Sequence, residues 1–71
     1  MTKDEILDKI QQLKDEAEEL KSEIETAEYN MRAFPYSKVK AQSIDTINEC
    51  TNQLKAINKE FKKLFKELES N

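Results

Sequence analysis

The chain has 71 residues, of which 38% are charged and none is glycine, histidine or tryptophan. This length allows a single domain, no apolar run is long enough to span a membrane, and zinc or haem would find almost no ligands. We therefore expect a non-enzymatic protein with no catalytic residues, no metal and no other cofactor.

The single cysteine fits a reducing compartment, and it fits a short extracellular helix equally well. Cys50 is the only cysteine, so an internal disulfide cannot form. Residues 1–7 lack the basic and apolar regions of a signal peptide. We expect a cytoplasmic protein, and the lysine-rich, glycine-free composition suggests a bacterial or phage origin.

The first predicted helix begins at a capping box and carries an apolar stripe. Thr2 and Glu5 have the spacing at which the hydroxyl binds a free backbone amide and the carboxylate reaches back to the amide of the cap. Apolar residues then recur at alternating steps of four and three, as in a coiled-coil seam: Ile6, Ile10, Leu13, Ala17, Leu20, Ile24, Ala27, Met31 and Phe34. We expect this helix to cover residues 3–33, because a residue before proline is disfavoured in a helix.

The only proline, Pro35, marks the connection. We expect a turn over residues 34–36 and a second helix over residues 37–69, capped by Ser37. The second helix repeats the stripe with steps of three and four: Ile47, Cys50, Leu54, Ile57, Phe61, Leu64 and Leu68. Nearer the turn, Lys40 and Ser43 fall at seam positions. We expect Cys50 to be a small buried apolar group.

The two stripes match each other across Pro35. In an antiparallel hairpin, the residue numbers of two facing residues add to a nearly constant sum. Facing residues of the two stripes add to 70 or 71, and half of this sum is the position of the proline. The sequence therefore predicts an all-α antiparallel two-helix hairpin, coiled-coil-like, as one domain over residues 1–71. One seam buries little apolar area. Leu7, Ile44 and Phe65 widen the apolar face, so we expect a homodimer that forms a four-helix bundle through them. In the alternative, a different protein supplies the missing helices.

Aromatic residues cluster around the predicted turn. Aromatic and arginine side chains are typical anchors of protein interfaces, and the candidate partner-binding residues are Tyr29, Arg32, Phe34, Tyr36 and Val39. In an alternative interpretation, Phe34 and Tyr36 only plug the open end of the bundle. We expect a module that binds another protein and occludes its surface, as an inhibitor, adaptor or assembly factor.

Lysines near the C-terminal end of the sequence support an alternative function. Lys55, Lys59, Lys62, Lys63 and Lys66 could contact phosphates or a membrane surface. In architecture the chain resembles the plasmid copy-number regulators of the Rop type, and this resemblance implies an RNA-binding hairpin dimer. Because the first helix is acidic and the second has no arginine, we do not expect nucleic acid or a membrane as the main partner.

A second resemblance concerns secretion. Phe65 and Glu69 match the spacing of the tail signal in the small helical-hairpin cargoes of type VII secretion, to which the chain is similar in outline. This resemblance implies a secreted cargo as another alternative.

Overall fold

A computed structural model describes residues 1–70, apart from the side chain of Ser37, and these residues form two helices. Helix α1 covers Lys3–Ala33 and helix α2 covers Ser37–Ser70. The two helices pack against each other, which confirms the predicted two-helix hairpin. The predicted cap by the Ser37 side chain lies outside the part of the chain that the structure describes.

The hairpin is a thin rod. Its principal extents are 52 × 15 × 12 Å and its radius of gyration is 16.1 Å, whereas a compact domain of this length has a radius of gyration of about 11 Å. The long dimension matches the length of α2, since an α-helix rises about 1.5 Å per residue. Surface features at the two ends of the rod are therefore well separated.

Helix α1 begins at Thr2, whose extended backbone (φ −75°, ψ 162°) places its side chain over the first turn. The backbone N–H of Glu5 donates to Thr2 Oγ1 at 3.3 Å, and that hydroxyl in turn donates to Glu5 Oε1 at 3.2 Å. The predicted cap is present, but the carboxylate binds the hydroxyl of Thr2 rather than the backbone amide. Acidic residues in this first turn also suit the positive end of the helix dipole.

The connection between the helices consists of Phe34, Pro35 and Tyr36. Phe34 leaves the helical region (φ −129°, ψ 79°), as expected for a residue before proline. Its N–H still donates to the carbonyl of Asn30 at 2.9 Å, and the N–H of Lys40 donates to the carbonyl of Tyr36 at 3.0 Å. These two bonds close the last turn of α1 and open the first turn of α2.

The core is the seam between the two stripes. Its buried apolar residues are Ile6, Ala27, Cys50, Ile57 and Leu64. The other residues of the two stripes, apart from Phe34, are half-buried. The prediction that Phe34 continues the seam is wrong, because this residue is 51% exposed. Once the backbone turns out of the helix before Pro35, the side chain no longer points toward α2.

The seam also shifts by one residue near the turn. Lys40 was predicted at a seam position, but it is exposed, while Val39 is half-buried and Ser43 is buried. Desolvating a lysine without a partner is unfavourable, and Val39 is the neighbouring apolar residue. The seam of α2 therefore enters the turn half through Val39.

Candidate functional site

The aromatic side chains around the turn are on the surface. Tyr29 is 67% exposed, Phe34 is 51% exposed and Tyr36 is 74% exposed. Arg32 is also exposed, whereas Val39 is half-buried. The single hairpin thus does not bury Phe34 or Tyr36 as a plug. We call the surface formed by Tyr29, Arg32, Phe34 and Tyr36 the turn end.

The turn end lies in a basic stretch of the chain. Between residues 29 and 44 there is no acidic residue, and the three basic ones, Arg32, Lys38 and Lys40, are all exposed. The whole chain has a net charge of −3, so this segment differs from the rest in sign. Exposed aromatic rings beside cationic side chains are a common composition of binding surfaces.

One long side of the hairpin is grooved. A shallow groove of about 370 Å³ near the turn contains Asn30 and Val39 in its lining. A second one of about 480 Å³ lies nearer the middle of the rod and is lined by Glu16 and Gln53 among others. Glu23 lines both grooves. Residues seven apart share one coiled-coil position, so these residues mark one flank of both helices. We call this flank the grooved side.

The opposite flank must carry the other two rows of residues next to the seam. These rows are Leu7, Lys14, Lys21 and Glu28 on α1, and Ile44, Thr51, Asn58 and Phe65 on α2. We call this flank the Leu7 side. It contains all three residues that the sequence assigned to an oligomer face, and the structure therefore places those residues on a common side.

The apolar residues of the Leu7 side are separated along the rod. Leu7 is 45% exposed, Ile44 is 40% exposed and Phe65 is 49% exposed. The ring of Phe65 stacks on that of Phe61, with centroids 6.1 Å apart and planes 27° apart. Ile44 and Phe65 are 21 residues apart in α2, which corresponds to about 31 Å of helix. Between them the row is polar, so this side is apolar at its ends only.

Cys50 is buried in the seam as predicted, and it also makes a polar contact. Its Sγ donates a hydrogen bond to Glu23 Oε2 at 3.1 Å. The hydrogen bond to Glu23 raises the pKa of the Cys50 thiol, and burial and the negative charges of Glu23 and Glu49 raise it further. The thiol is therefore protonated and a poor nucleophile at neutral pH. Sequence reasoning missed this contact, although Glu23 lies one turn after Leu20, the residue predicted to face Cys50.

Lysines form a row on the outward face of α2. Lys55, Lys59, Lys62 and Lys66 follow each other at steps of four, three and four, and all are exposed. Lys59, Lys62 and Lys66 line a shallow surface that also includes Phe65 and Glu69. We call these four lysines the lysine row. It is the surface that an anionic ligand would contact.

Residues 1–70 contain neither a candidate metal site nor a candidate membrane span. Among these residues, no group of three or more cysteine, aspartate or glutamate side chains is arranged to hold a metal ion. Within the same part of the chain, no helical stretch combines the length and apolar character that crossing a membrane requires.

No protein-family model, no curated protein and no solved structure matches this chain. The turn end, the Leu7 side and the lysine row are therefore the surfaces that indicate a function.

Proposed function

We propose that the protein is a small interaction module that binds another protein through its turn end and thereby blocks a surface of that partner. The observation that carries this proposal is the placement of the aromatic residues. The chain has five, and four of them are exposed: Tyr29, Phe34, Tyr36 and Phe65. Burying an exposed apolar ring in an interface would contribute about 25 cal/mol of favourable free energy for each Å² of apolar surface removed from water.

The turn end has the properties of an interface anchor. Tyrosine and phenylalanine supply large contact areas with few rotatable bonds, so that little entropy is lost when they are immobilised. Tyr29 lies on the outer face of α1 and contributes nothing to the seam. Arg32 adds a cation that can form paired hydrogen bonds with a carboxylate. These features support binding rather than folding as the role of this surface.

The shape of the rod supports occlusion as the mechanism. Its cross-section of 15 × 12 Å is that of two helices side by side, and helices commonly bind in apolar grooves of their partners. A rigid rod that presents aromatic side chains at its tip can fill such a groove and exclude the natural occupant. An inhibitor, an adaptor and an assembly factor would all use this mode of binding.

We further propose that two copies form a four-helix bundle. The hairpin exposes 5740 Å² of surface, whereas a compact protein of 8.3 kDa exposes about 4,600 Å². The difference exceeds the roughly 800 Å² that each partner contributes to a standard interface. The exposed residues Leu7, Ile44 and Phe65 would be covered first, because they are the large apolar side chains next to the seam.

Site-specific photo-crosslinking tests the role of the turn end. A benzophenone amino acid replaces Tyr36 in one protein and Asn52 in a matched control. Both positions are exposed, but Asn52 lies at mid-rod on the outward face of α2. We expect position 36 to crosslink a defined partner in extracts of the source organism and position 52 to give no such product. Equal crosslinking from both positions would contradict the proposal.

The purified partner then allows an affinity measurement. We expect Phe34→Ala and Tyr36→Ala each to weaken binding about tenfold or more, equivalent to about 1.4 kcal/mol. Asn52→Ala serves as the control and should leave affinity unchanged. If both aromatic variants bind as tightly as the wild type, the turn end is not the anchor.

RNA binding by a dimer is the second candidate, and the lysine row supports it. Four exposed lysines along one helix face could neutralise consecutive phosphates, and such binding weakens steeply as salt rises. A gel shift with a structured RNA at about 50 mM and about 200 mM salt tests this. This candidate function predicts RNA binding at low salt that the combined variant Lys59→Glu and Lys62→Glu abolishes. No binding at low salt excludes this candidate.

A further inference from the structure

We propose that two copies pair through the Leu7 side with their turns at the same end of the bundle. This inference rests on the proposed dimer and assigns its orientation. The occupant of the Leu7 side is then a second copy of the chain, and the arrangement brings two turn ends side by side. The order of residues along the Leu7 side favours this orientation.

The register of the hairpin determines which residues of the Leu7 side lie at the same level. Glu23 binds Cys50, and Ala27 and Ser43 line one groove. The residue numbers of these two pairs add to 73 and 70. A residue of α1 and a residue of α2 therefore lie at the same height along the rod when their numbers add to between 70 and 73. The two rows of the Leu7 side pair at a constant of 72: Leu7 with Phe65, Lys14 with Asn58, Lys21 with Thr51, and Glu28 with Ile44. The side therefore has one apolar layer, two polar layers and one mixed layer.

A two-fold axis parallel to the helices keeps these layers together. Such an axis places α1 of one copy over α2 of the other without changing the level of any residue. Leu7 then lies over Phe65 of the second copy, and two copies of each form an apolar cluster at the end away from the turns. Lys14 lies over Asn58, so the positive charges of the polar layers face neutral groups.

A two-fold axis across the helices gives a less favourable arrangement. It places α1 over α1 in the opposite direction, so that Lys14 of one copy lies over Lys21 of the other. Like charges placed opposite each other in an interface are unfavourable. Each arrangement places Glu28 over one apolar residue, Ile44 with the parallel axis and Leu7 with this one, so Glu28 does not distinguish them. Ile44 then lies over Phe65, the one apolar pair of this arrangement, but the repulsion occurs twice.

The same-end arrangement has a consequence for binding. Packed helices lie about 8–10 Å apart, so both turn ends would form one surface with six exposed aromatic rings, three from each copy. A partner that presents two equivalent sites could engage both turns at once. Two linked contacts raise the apparent affinity well above that of either contact alone.

Distances between spin labels test the orientation. Lys38→Cys carries a nitroxide near the turn, and Asn52→Cys carries one at mid-rod, each in a Cys50→Ser background that keeps a hydroxyl donor for Glu23. Both label positions are exposed, so folding is preserved. The same-end arrangement predicts roughly 15–30 Å between the two labels at position 38, whereas the opposite arrangement predicts a distance close to the 52 Å length of the rod.

The label at position 52 is the matched control. It lies near the middle of α2, so any dimer through the Leu7 side gives a short distance there in either orientation. A short distance at both positions supports the inference. A short distance at 52 with a long one at 38 overturns the orientation and leaves the dimer intact. No dipolar signal at position 52 overturns the dimer as well, while the turn-end proposal is judged separately by crosslinking.

Discussion

The two halves of the rod use their side chains in opposite ways. In the half away from the turn, the buried residues are large: Ile6, Ile57 and Leu64. In the turn half, the buried residues are the small Ala27 and Ser43. The difference shows that the most buried positions of the seam hold large aliphatic groups in one half and small groups in the other.

The aromatic side chains of the turn half are on its surface, whereas Ile24, Met31 and Ile47 are half-buried. Tyr29, Phe34 and Tyr36 are exposed there, and the half-buried residues of this region include the polar Asn30 and Thr46. Packing free energy increases with the apolar area removed from water. Stability and recognition are therefore expected to reside in different halves of one rod, and the following changes test this separation.

The largest effect is expected at Leu64, which is 3% exposed. Leu64→Ala removes buried methyl groups and leaves a cavity, and such changes lower the free energy of unfolding by about 2–5 kcal/mol. Urea unfolding followed by circular dichroism measures the change. Tyr29→Ala is the control, because Tyr29 is 67% exposed and its removal should lower the free energy of unfolding far less. Equal losses at both positions would contradict the separation.

A smaller change in the free energy of unfolding, with the opposite sign, is expected at Ser43. This residue is 6% exposed and lines the groove near the turn together with Ala27. Ser43→Leu places a large apolar side chain in the seam. Cavity-filling changes of this kind add about 0.5–2 kcal/mol to the free energy of unfolding. The comparison with Ser43→Ala in urea separates volume from polarity. A loss of stability in the leucine variant would mean that the seam is already full there.

Cys50 lies between the two halves and gives a pH-dependent effect. Because its pKa is raised in the folded state, the unfolded chain releases the proton first. This contribution to stability is fully present below about pH 8.5, the ordinary thiol pKa, and is lost as pH rises through the folded pKa. We expect the unfolding free energy of the wild type to fall relative to Cys50→Ser above this pH. Parallel curves for the two proteins would show that the bond to Glu23 does not favour the thiol.

The smallest effect is expected at the tip. Tyr36→Ala changes a residue that is 74% exposed, and surface substitutions usually alter stability by no more than about 0.5 kcal/mol. Thermal unfolding by circular dichroism provides the measurement. A large drop in Tm would place Tyr36 in the fold, as the plug interpretation requires, and would remove the main support for the turn end as a binding surface.

The helices and their pairing were predictable from the sequence. Steps of three and four place apolar residues on one helix face, and a single proline between two such stripes fixes where the chain reverses. Ile10 and Phe61, for example, are both half-buried in the seam. The capping function of Thr2 was also readable from its spacing to Glu5.

Details near the turn were not predictable from periodicity. A stripe does not show where the backbone leaves the helix, so Phe34 was wrongly placed in the seam. Nor does it show which of two adjacent residues takes a seam position. Val39 takes that position because burying the charge of Lys40 would be unfavourable. The contact between Cys50 and Glu23 depends on side-chain rotamers, which spacing alone does not fix. The exposure of the turn end required coordinates for the same reason.

Met1 and Ser70 line the same groove at the end of the rod opposite the turn. Because Met1 and Ser70 lie close together, residues 1–70 can be inserted as a hairpin into a surface loop of a carrier protein with short junctions. The inserted rod would hold the turn about 50 Å from the carrier. Such a fusion would display Tyr36 and its neighbours on a stalk, where immobilisation or labelling of the carrier leaves them accessible.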